Sequence, residues 1–518
     1  MKELVYHRHL LPAAERCADR VAFYDGMYRA SYAEHVERVL RLGDALQNEL
    51  GLGRGDHFAV MALNGHEFLE LYHAAFLGAG IVNPLNLRLA PAEVEFILRD
   101  SETKVCFTDA AFAPLVDAVG KNAGIERIIL IGEGDVPHDL RYEELVGAGR
   151  AVAPEEPDEE DPVILMYTGG TTGLPKGVLL DQRAEMLNMY HVALRWGLDE
   201  NFVYLHQTPM FHAASMGGIL GIPACGGSST FVPIFEPKAV LENIGTHAVT
   251  MTVMVPTMIA MLLADPDFEP ERMRSLEVLT YGASPMPVAL LARLLELFPD
   301  LDVYQGYGMT ESSAVLTSLG PDDHRAGGDL LRSAGRPLAG VVLSIQDGEG
   351  NALPSGETGE VCARAGNFMR EYWNRPKETA DAFRGGWYHT GDAGYLDARG
   401  YLYLVDRVKD MIVTGGENVY SVEVENALAS HPAVSEVAVI GIPHDVWGEA
   451  VHAVVVLSAD ATATQDELQA HTRERIAAFK VPKSIEFRTE PLPLSGALKV
   501  LKRDLRAPYW EGKERSVH

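Results

Sequence analysis

The chain has 518 residues, of which 47% are hydrophobic and 23% charged, and its formal net charge is −29. That length is about three times the usual domain of ~150 residues, so several packed units with large cores are expected, and the balance of apolar and charged residues excludes a disordered chain. The acidic excess argues against non-specific nucleic-acid binding and against attachment to an anionic membrane surface, so an anionic ligand must be met by a local group of cations.

The first residues, Met1 to Arg8, lack the apolar core of a signal peptide. Further along, Ser31-Tyr32-Ala33-Glu34 is a capping-box pattern that opens a helix, and Gly51, Gly53 and Gly55 end it. A strand at Phe58–Leu63, a helix at Glu67–Leu77 and strands near Ile81, Val105 and Ile128 follow, an alternation that reads as α/β with a largely parallel sheet. The run Pro154 to Asp161 reads as a solvated acidic connector. The alternation resumes with a strand at Val203–Thr208, a helix near Ala213–Ala224, and a buried strand and helix within Val249–Ala264, which is too short and too rich in threonine and proline to cross a membrane. A strand at Leu276–Tyr281, a helix at Pro285–Phe298 and a strand at Val303-Tyr304 come next. Beyond Lys409, strands at Val434–Ile440, Val451–Leu457 and Ile485–Phe487 with a helix at Gln465–Ala478 form a compact unit large enough to fold separately. Cys17, Cys106, Cys225 and Cys362 are too scattered for a disulfide framework or a zinc site, which points to a reduced, cytoplasmic protein.

The most informative stretch is Tyr167-Thr168-Gly169-Gly170-Thr171-Thr172-Gly173-Leu174-Pro175-Lys176-Gly177, set after the apolar run Val163–Met166. Its glycines, threonine hydroxyls and lysine leave N–H groups, O–H groups and a cation free to close around a polyanion, as the oxyanions of a triphosphate require. It is not a Walker A loop, because Leu174 and Pro175 separate Gly173 from Lys176.

Together with Gln305–Glu311, Gly386–Asp392, Asp406–Asp410 and Ser495–Arg506, in that order, this loop resembles the signatures of the AMP-forming acyl-CoA synthetases within the adenylate-forming superfamily. The resemblance implies a large N-terminal multi-subdomain α/β domain, residues 1–408, and a small mobile α+β C-terminal domain, residues 409–518, with a hinge at Lys409. It implies that ATP is held by Thr168, Gly170, Thr171, Thr172, Gly173 and Lys176, that Tyr307 stacks on adenine beside Gly282-Ala283-Ser284, and that Asp392 and Arg407 take the ribose. Thr310 would contact phosphate and Glu311 hold Mg2+. Lys499 would stabilise the anionic charge that grows during adenylation, and Gly415 and Gly416 would border the path of the coenzyme A thiol. Lys480, Lys483, Lys502, Arg503 and Arg506 concentrate positive charge near Lys499.

Pro209-Met210-Phe211-His212 resembles the segment bordering the acyl channel, where His212 reads equally well as a core histidine. Met216, Met254, Ala283, Val315 and Leu316 are further candidate walls. Gly308 stands where acetate-using relatives carry tryptophan, so an open channel for medium or longer aliphatic acids, or aryl acids, is expected. No spare cation in these segments would pair a second carboxylate. Leu498 stands where glycine usually precedes the lysine. If that residue needs a positive φ, leucine costs about 1–2 kcal/mol and Leu498→Gly should raise adenylation. The activity implied is acid–CoA ligation through an acyl-adenylate. The alternatives are delivery of the acyl group to another acceptor and an ATP-binding regulator without turnover. A carboxylic acid and CoA are the expected partners, a homodimer is admitted, and neither nucleic acid nor an integral membrane segment is expected.

Overall fold

In the computed structural model the described residues are 4–168, 175–407, 411–414, 417–444, 447–459, 461–496, 498 and 500–511. Two large sheets carry the N-terminal part. The first has nine strands in the order Arg336–Pro337, Thr317–Leu319, Asp302–Tyr307, Val278–Gly282, Met251–Met254, Val203–His206, Ser228–Phe231, Val21–Asp25 and Tyr28–Ser31. Its central strands are parallel and only the edges are antiparallel. The second has eight, with Pro162–Thr168, Ile81–Pro84, His57–Met61, Val105–Asp109 and Arg127–Ile131 in parallel and Lys176–Asp181 turning back antiparallel. Helices cover faces of both, so the central strands are near-continuous apolar runs; all five residues of His57–Met61 are buried.

The capping box forms as the sequence predicts. The Ser31 hydroxyl accepts from the Glu34 N–H at 3.3 Å, and the Glu34 carboxylate accepts from the Ser31 N–H at 2.7 Å, opening the helix Tyr32–Asn48. The stretch Val249–Ala264 is a strand, Met251–Met254, followed by the helix Pro256–Ala264.

One expectation needs revision. Residues 213–225 do not form one helix but a 3-10 turn, a π-turn over Gly217–Gly221 and a short helix Ile222–Cys225. The glycines are the reason: a Cβ on Gly218 would run into the Tyr204 ring, so the backbone packs where a helical side chain would sit. The acidic connector lies at the surface as expected, with Glu155, Asp158 and Glu160 exposed, and ion pairs hold it there: Arg8 with Glu156, Arg54 with Asp161 at 3.2 Å and Arg183 with Glu159 at 3.3 Å.

A third sheet, antiparallel, orders Val342–Gln346, Gly359–Arg364, Tyr388–Leu396 and Leu402–Arg407. The smaller C-terminal part is built on a fourth, in which Gly448–Leu457 pairs with Val434–His444, Ile412–Thr414 and Ser484–Arg488. Its core gathers Ile412, Val424, Leu428, Val439, Val451 and Leu468. The third sheet ends at Arg407 and the fourth begins at Ile412; Lys409 lies outside the described residues.

Candidate active site

The signature residues come from the ends of strands in three sheets. Thr168 and Lys176 face each other across the ladder that joins Pro162–Thr168 to Lys176–Asp181, so the loop between them starts and returns at one point; Gly170, Thr171, Thr172 and Gly173 lie outside the described residues. The ammonium of Lys176 stands 5.0 Å from the centre of the Tyr372 ring, close enough for a cation–π contact.

Tyr372 links that cation to Glu311, because its hydroxyl donates to Glu311 Oε1 at 2.8 Å and lies 3.4 Å from the Tyr388 hydroxyl. Burial first, and the Glu311 carboxylate next, push the Tyr372 phenol upward, so it stays a donor. The other Glu311 oxygen has no partner among the described residues. A hard cation takes one or two such carboxylates beside phosphate oxygens, and the donor set fits magnesium.

Tyr307 closes the strand Asp302–Tyr307, and its hydroxyl donates to Asp392 Oδ2 at 2.7 Å. Asp392 belongs to the strand Tyr388–Leu396 rather than to an isolated turn, and Arg407 is its cross-strand neighbour. Behind it, Glu360 accepts from the Gly391 N–H at 3.2 Å and from His389 Nδ1 at 2.8 Å, fixing the backbone on which Asp392 stands. Thr310 opens a short turn, Thr310–Ser312. Asn367 holds that turn from behind, donating to the carbonyls of Ser312 at 2.7 Å and Val315 at 3.1 Å, and Met369 N–H donates to Glu311 O at 2.7 Å.

Gly282 lies opposite Gly306 on neighbouring strands, and a Cβ there would run into the Gly306 carbonyl; Ala283 follows at φ 65° and leads to Ser284. The small residues therefore serve close strand packing first. Gly308 corrects an expectation. Its Cβ would run into the carbonyl of Ala314, so the space beside it holds backbone and not the void an absent indole would leave. Val315 and Leu316 follow that backbone, and Ser313 and Ala314 sit at φ 53° and 108°.

On the facing side, Met210, Phe211 and Met216 are buried, and His212 Nδ1 accepts from the Ala214 N–H at 3.2 Å. Asn64 fastens this segment to the second sheet. Its Oδ1 accepts from Met210 N–H at 2.9 Å, and its Nδ2 lies 3.2–3.4 Å from the carbonyls of His206, Thr208 and Val232.

Lys499 lies outside the described residues, as do Gly415 and Gly416. The residues before Lys499 are anchored on the N-terminal part. Arg88 donates to Ser495 O at 3.2 Å, Thr257 donates to Leu498 O at 3.2 Å, and Gly496 presses on Asn86 where a Cβ would not fit. Leu498 sits at φ 57°, as its alignment with glycine anticipates, yet its side chain is buried in the core cluster that contains Met258, Ile259 and Tyr281. The basic patch is less free than its sequence suggests: Lys480 pairs with Glu423 and Lys502 with Glu425, each at 2.6 Å.

Chemically, this is a set of two tyrosine-held carboxylates and one lysine at the ends of strands, beside a buried apolar segment, with the loop around residue 498 docked nearby. Residues 11–373 match the AMP-binding enzyme family and residues 423–499 match the AMP-binding enzyme C-terminal domain. The chain belongs to the AMP-forming acyl-CoA synthetases of the adenylate-forming superfamily. The enzyme is 36% identical to a feruloyl-CoA synthase of Amycolatopsis sp over 92% of its own length and 94% of that protein. It is 33% identical to the fatty acid--[acyl-carrier-protein] ligase ScoC of Streptomyces coeruleorubidus, over 99% of its own length and 96% of that protein. Its fold overlays the anthranilate CoA ligase AuaEII in complex with anthranoyl-AMP at a TM-score of 0.89 and 28% identity, over 98% of the enzyme and 97% of that chain. No described helix is long and apolar enough to cross a membrane, and the four cysteines are unpaired.

Tyr372, Asn367, Glu360 and Asn64 were not legible as site residues. Tyr372 lies in a strand of two residues, Glu371–Tyr372, too short to show any period. The others act through backbone groups distant in sequence, and the local pattern carries no trace of those partners.

Proposed function

We propose that the enzyme converts a carboxylic acid and MgATP to an acyl-adenylate and pyrophosphate, and then transfers the acyl group to the thiol of coenzyme A with release of AMP. The observation that carries this reading is the pair of tyrosine-held carboxylates, Glu311 bonded by Tyr372 next to Tyr388 and Lys176, and Asp392 bonded by Tyr307. In this reading Lys176, with the loop from Thr168, grips the triphosphate, and Thr310 contacts phosphate. Tyr307 lies against adenine, and Asp392 with Arg407 takes the ribose hydroxyls, Asp392 exchanging its Tyr307 hydrogen bond in part for the sugar. Mg2+ supplies charge neutralisation across the phosphates, and Glu311 would hold it. The lysine at 499 stabilises the anionic charge of the adenylation step, Lys409 is the hinge between domains 1–408 and 409–518, and Gly415 and Gly416 border the thiol path. Activation replaces an oxide leaving group by AMP, which splits one hard displacement into two easier ones.

The acid is medium or longer aliphatic, or aryl, rather than acetate. The buried wall of Met210, Phe211 and Met216 supports this, as do the substrates in the relatives' names. A carrier protein as acceptor is the second reading, favoured by the name of ScoC. A cytoplasmic location suits the free cysteines. Pyrophosphate release over a panel of acids, followed by thioester formation with and without CoA, tests the proposal. Release without thioester in the presence of CoA would move the acceptor elsewhere, and ATP binding without release would overturn the ligase reading.

A further inference from the structure

The helix Gln182–Trp196 packs its buried face toward the acyl segment, and polar groups on that face and beside it are buried without being paired. Glu185 and Asn188, three residues apart and so on one face of the helix, are both fully buried. Neither Glu185 oxygen, neither polar atom of the Asn188 amide, nor the hydroxyl of fully buried Ser313 has a hydrogen-bond partner among the described residues. The Ser313 hydroxyl approaches Glu185 and favours its ionised form, although the two do not meet in hydrogen-bond geometry. Asn367, whose amide hydrogens hold Ser312 O and Val315 O on either side of Ser313, also leaves its Oδ1 unpaired.

The location is specific. Ser313 sits at the positive-φ kink two residues before Val315. Tyr72, which feels the charge of Glu185, donates its hydroxyl to Met210 O at 2.8 Å, immediately before Phe211 and His212. Met186 and Met189, on the same helix, belong to one core cluster with Met210, Phe211 and Met216. The unpaired groups therefore border the apolar wall assigned to the acid.

Buried polar groups are nearly always paired, and leaving several unpaired in one place is costly. We propose that Glu185, Asn188 and Ser313 form a polar subsite in the wall of the acid pocket that receives a hydroxyl group carried by the acyl chain or ring of the substrate. This rests on the reading of residues 210–216 and 313–316 as the acid pocket. A hydroxyl both donates and accepts, as do the asparagine amide and the serine hydroxyl. Burial pushes Glu185 up to about 8, so at neutral pH it is mainly a neutral acid that can donate as well as accept. A second substrate carboxylate is a poor occupant, because no cation faces the group from Tyr72, Ser313 or its own helix.

The test uses acid pairs that differ by one hydroxyl, cinnamate against 4-hydroxycinnamate and octanoate against 8-hydroxyoctanoate, with pyrophosphate release giving kcat/KM for each. The wild-type enzyme should favour the hydroxylated member of at least one pair by about tenfold or more, since a site built to bond a hydroxyl discriminates against the analogue lacking it. Glu185→Leu should abolish or invert that ratio, and Glu185→Gln, which keeps a donor and an acceptor, should retain part of it. Thermal unfolding of both variants checks that they fold, and Ser313→Ala provides a milder second variant that should also lower the ratio. Unchanged ratios in folded variants, or a wild-type enzyme indifferent to the hydroxyl in both pairs, would overturn the subsite and leave the ligase reading standing. Absence of pyrophosphate release with every acid would overturn both.

Discussion

Leu498 offers the sharpest test, because two opposed effects meet in one side chain. Its φ of 57° costs a non-glycine residue about 1–2 kcal/mol, and Leu498→Gly would relieve that cost. Its side chain is only 9% exposed, in a core cluster of the N-terminal part, and burying a leucine contributes about 1.5–3 kcal/mol. Leu498→Ala removes three carbons and keeps the strain, a loss of about 2.4 kcal/mol at ~0.8 kcal/mol per carbon. That is roughly 50-fold in the equilibrium that docks the loop. Leu498→Gly gains the relief but loses the remaining methyl and adds about 0.5–1 kcal/mol of chain freedom, so it should still fall about tenfold or more. Leu498→Met, of similar volume, should lose least. Adenylation is read as pyrophosphate release from acid and MgATP, and the second step as thioester formation from supplied acyl-adenylate, which these variants should leave far less affected. Adenylation by Leu498→Gly at or above the wild-type rate would refute the packing argument and restore strain as the deciding effect.

Lys499→Ala should lower adenylation by at least about 100-fold, the usual effect of losing one electrostatic donor, and spare transfer from supplied adenylate; equal losses in both steps would make the lysine structural. Tyr307→Phe removes the donor to Asp392 and should raise the KM for ATP severalfold with a smaller change in kcat, whereas an unchanged KM would show that the bond does not position Asp392. Gly308→Ala should lower the melting temperature or the yield of folded protein, because its methyl meets the Ala314 carbonyl, and a fully stable variant would contradict the packing described. Glu185 sets a pH dependence. Its folded pKa of about 8 exceeds the ordinary 4.5, so between these values the folded state keeps a proton that the unfolded chain has released. Stability is therefore full below about 4.5 and falls as pH rises towards 8, with Asp181 and Tyr72 the titratable groups that interact with it. The melting temperature of the wild type relative to Glu185→Gln should decline over that window, and a constant difference would refute the buried proton.

The alternation of strands and helices was legible because each large sheet is buried on both faces and writes long apolar runs into the chain, as at Val163–Met166 and Val105–Phe107. The signature loops were legible because glycine, threonine and lysine in that density have few structural uses. What escaped was pairing at a distance. Lys480 and Lys502 read as free cations because Glu423 and Glu425 stand on another helix, Ser421–Ala429. Nothing in the sequence marks Glu185, since a first helical turn is a common place for an acid, and only the tertiary fold reveals that its side chain is buried. Gly308 misleads for a related reason: a missing side chain reads as space in the sequence, whereas a neighbouring backbone fills it in the fold.

The carboxamide of Asn64 has a mechanical consequence. By accepting from Met210 and reaching the carbonyls of His206, Thr208 and Val232, it rivets a loop of the second sheet to two segments at the strand ends of the first. A joint of that kind resists shear, so the two sheets respond to load as a single stiff plate. The π-turn at Gly217–Gly221 and the kink at Ser313-Ala314 carry ties of their own, from His73 and Tyr6 to the carbonyls of Ile219 and Leu220 and from Asn367 to those of Ser312 and Val315. The strands on either side of Asn64 should therefore keep their spacing whatever acid is bound.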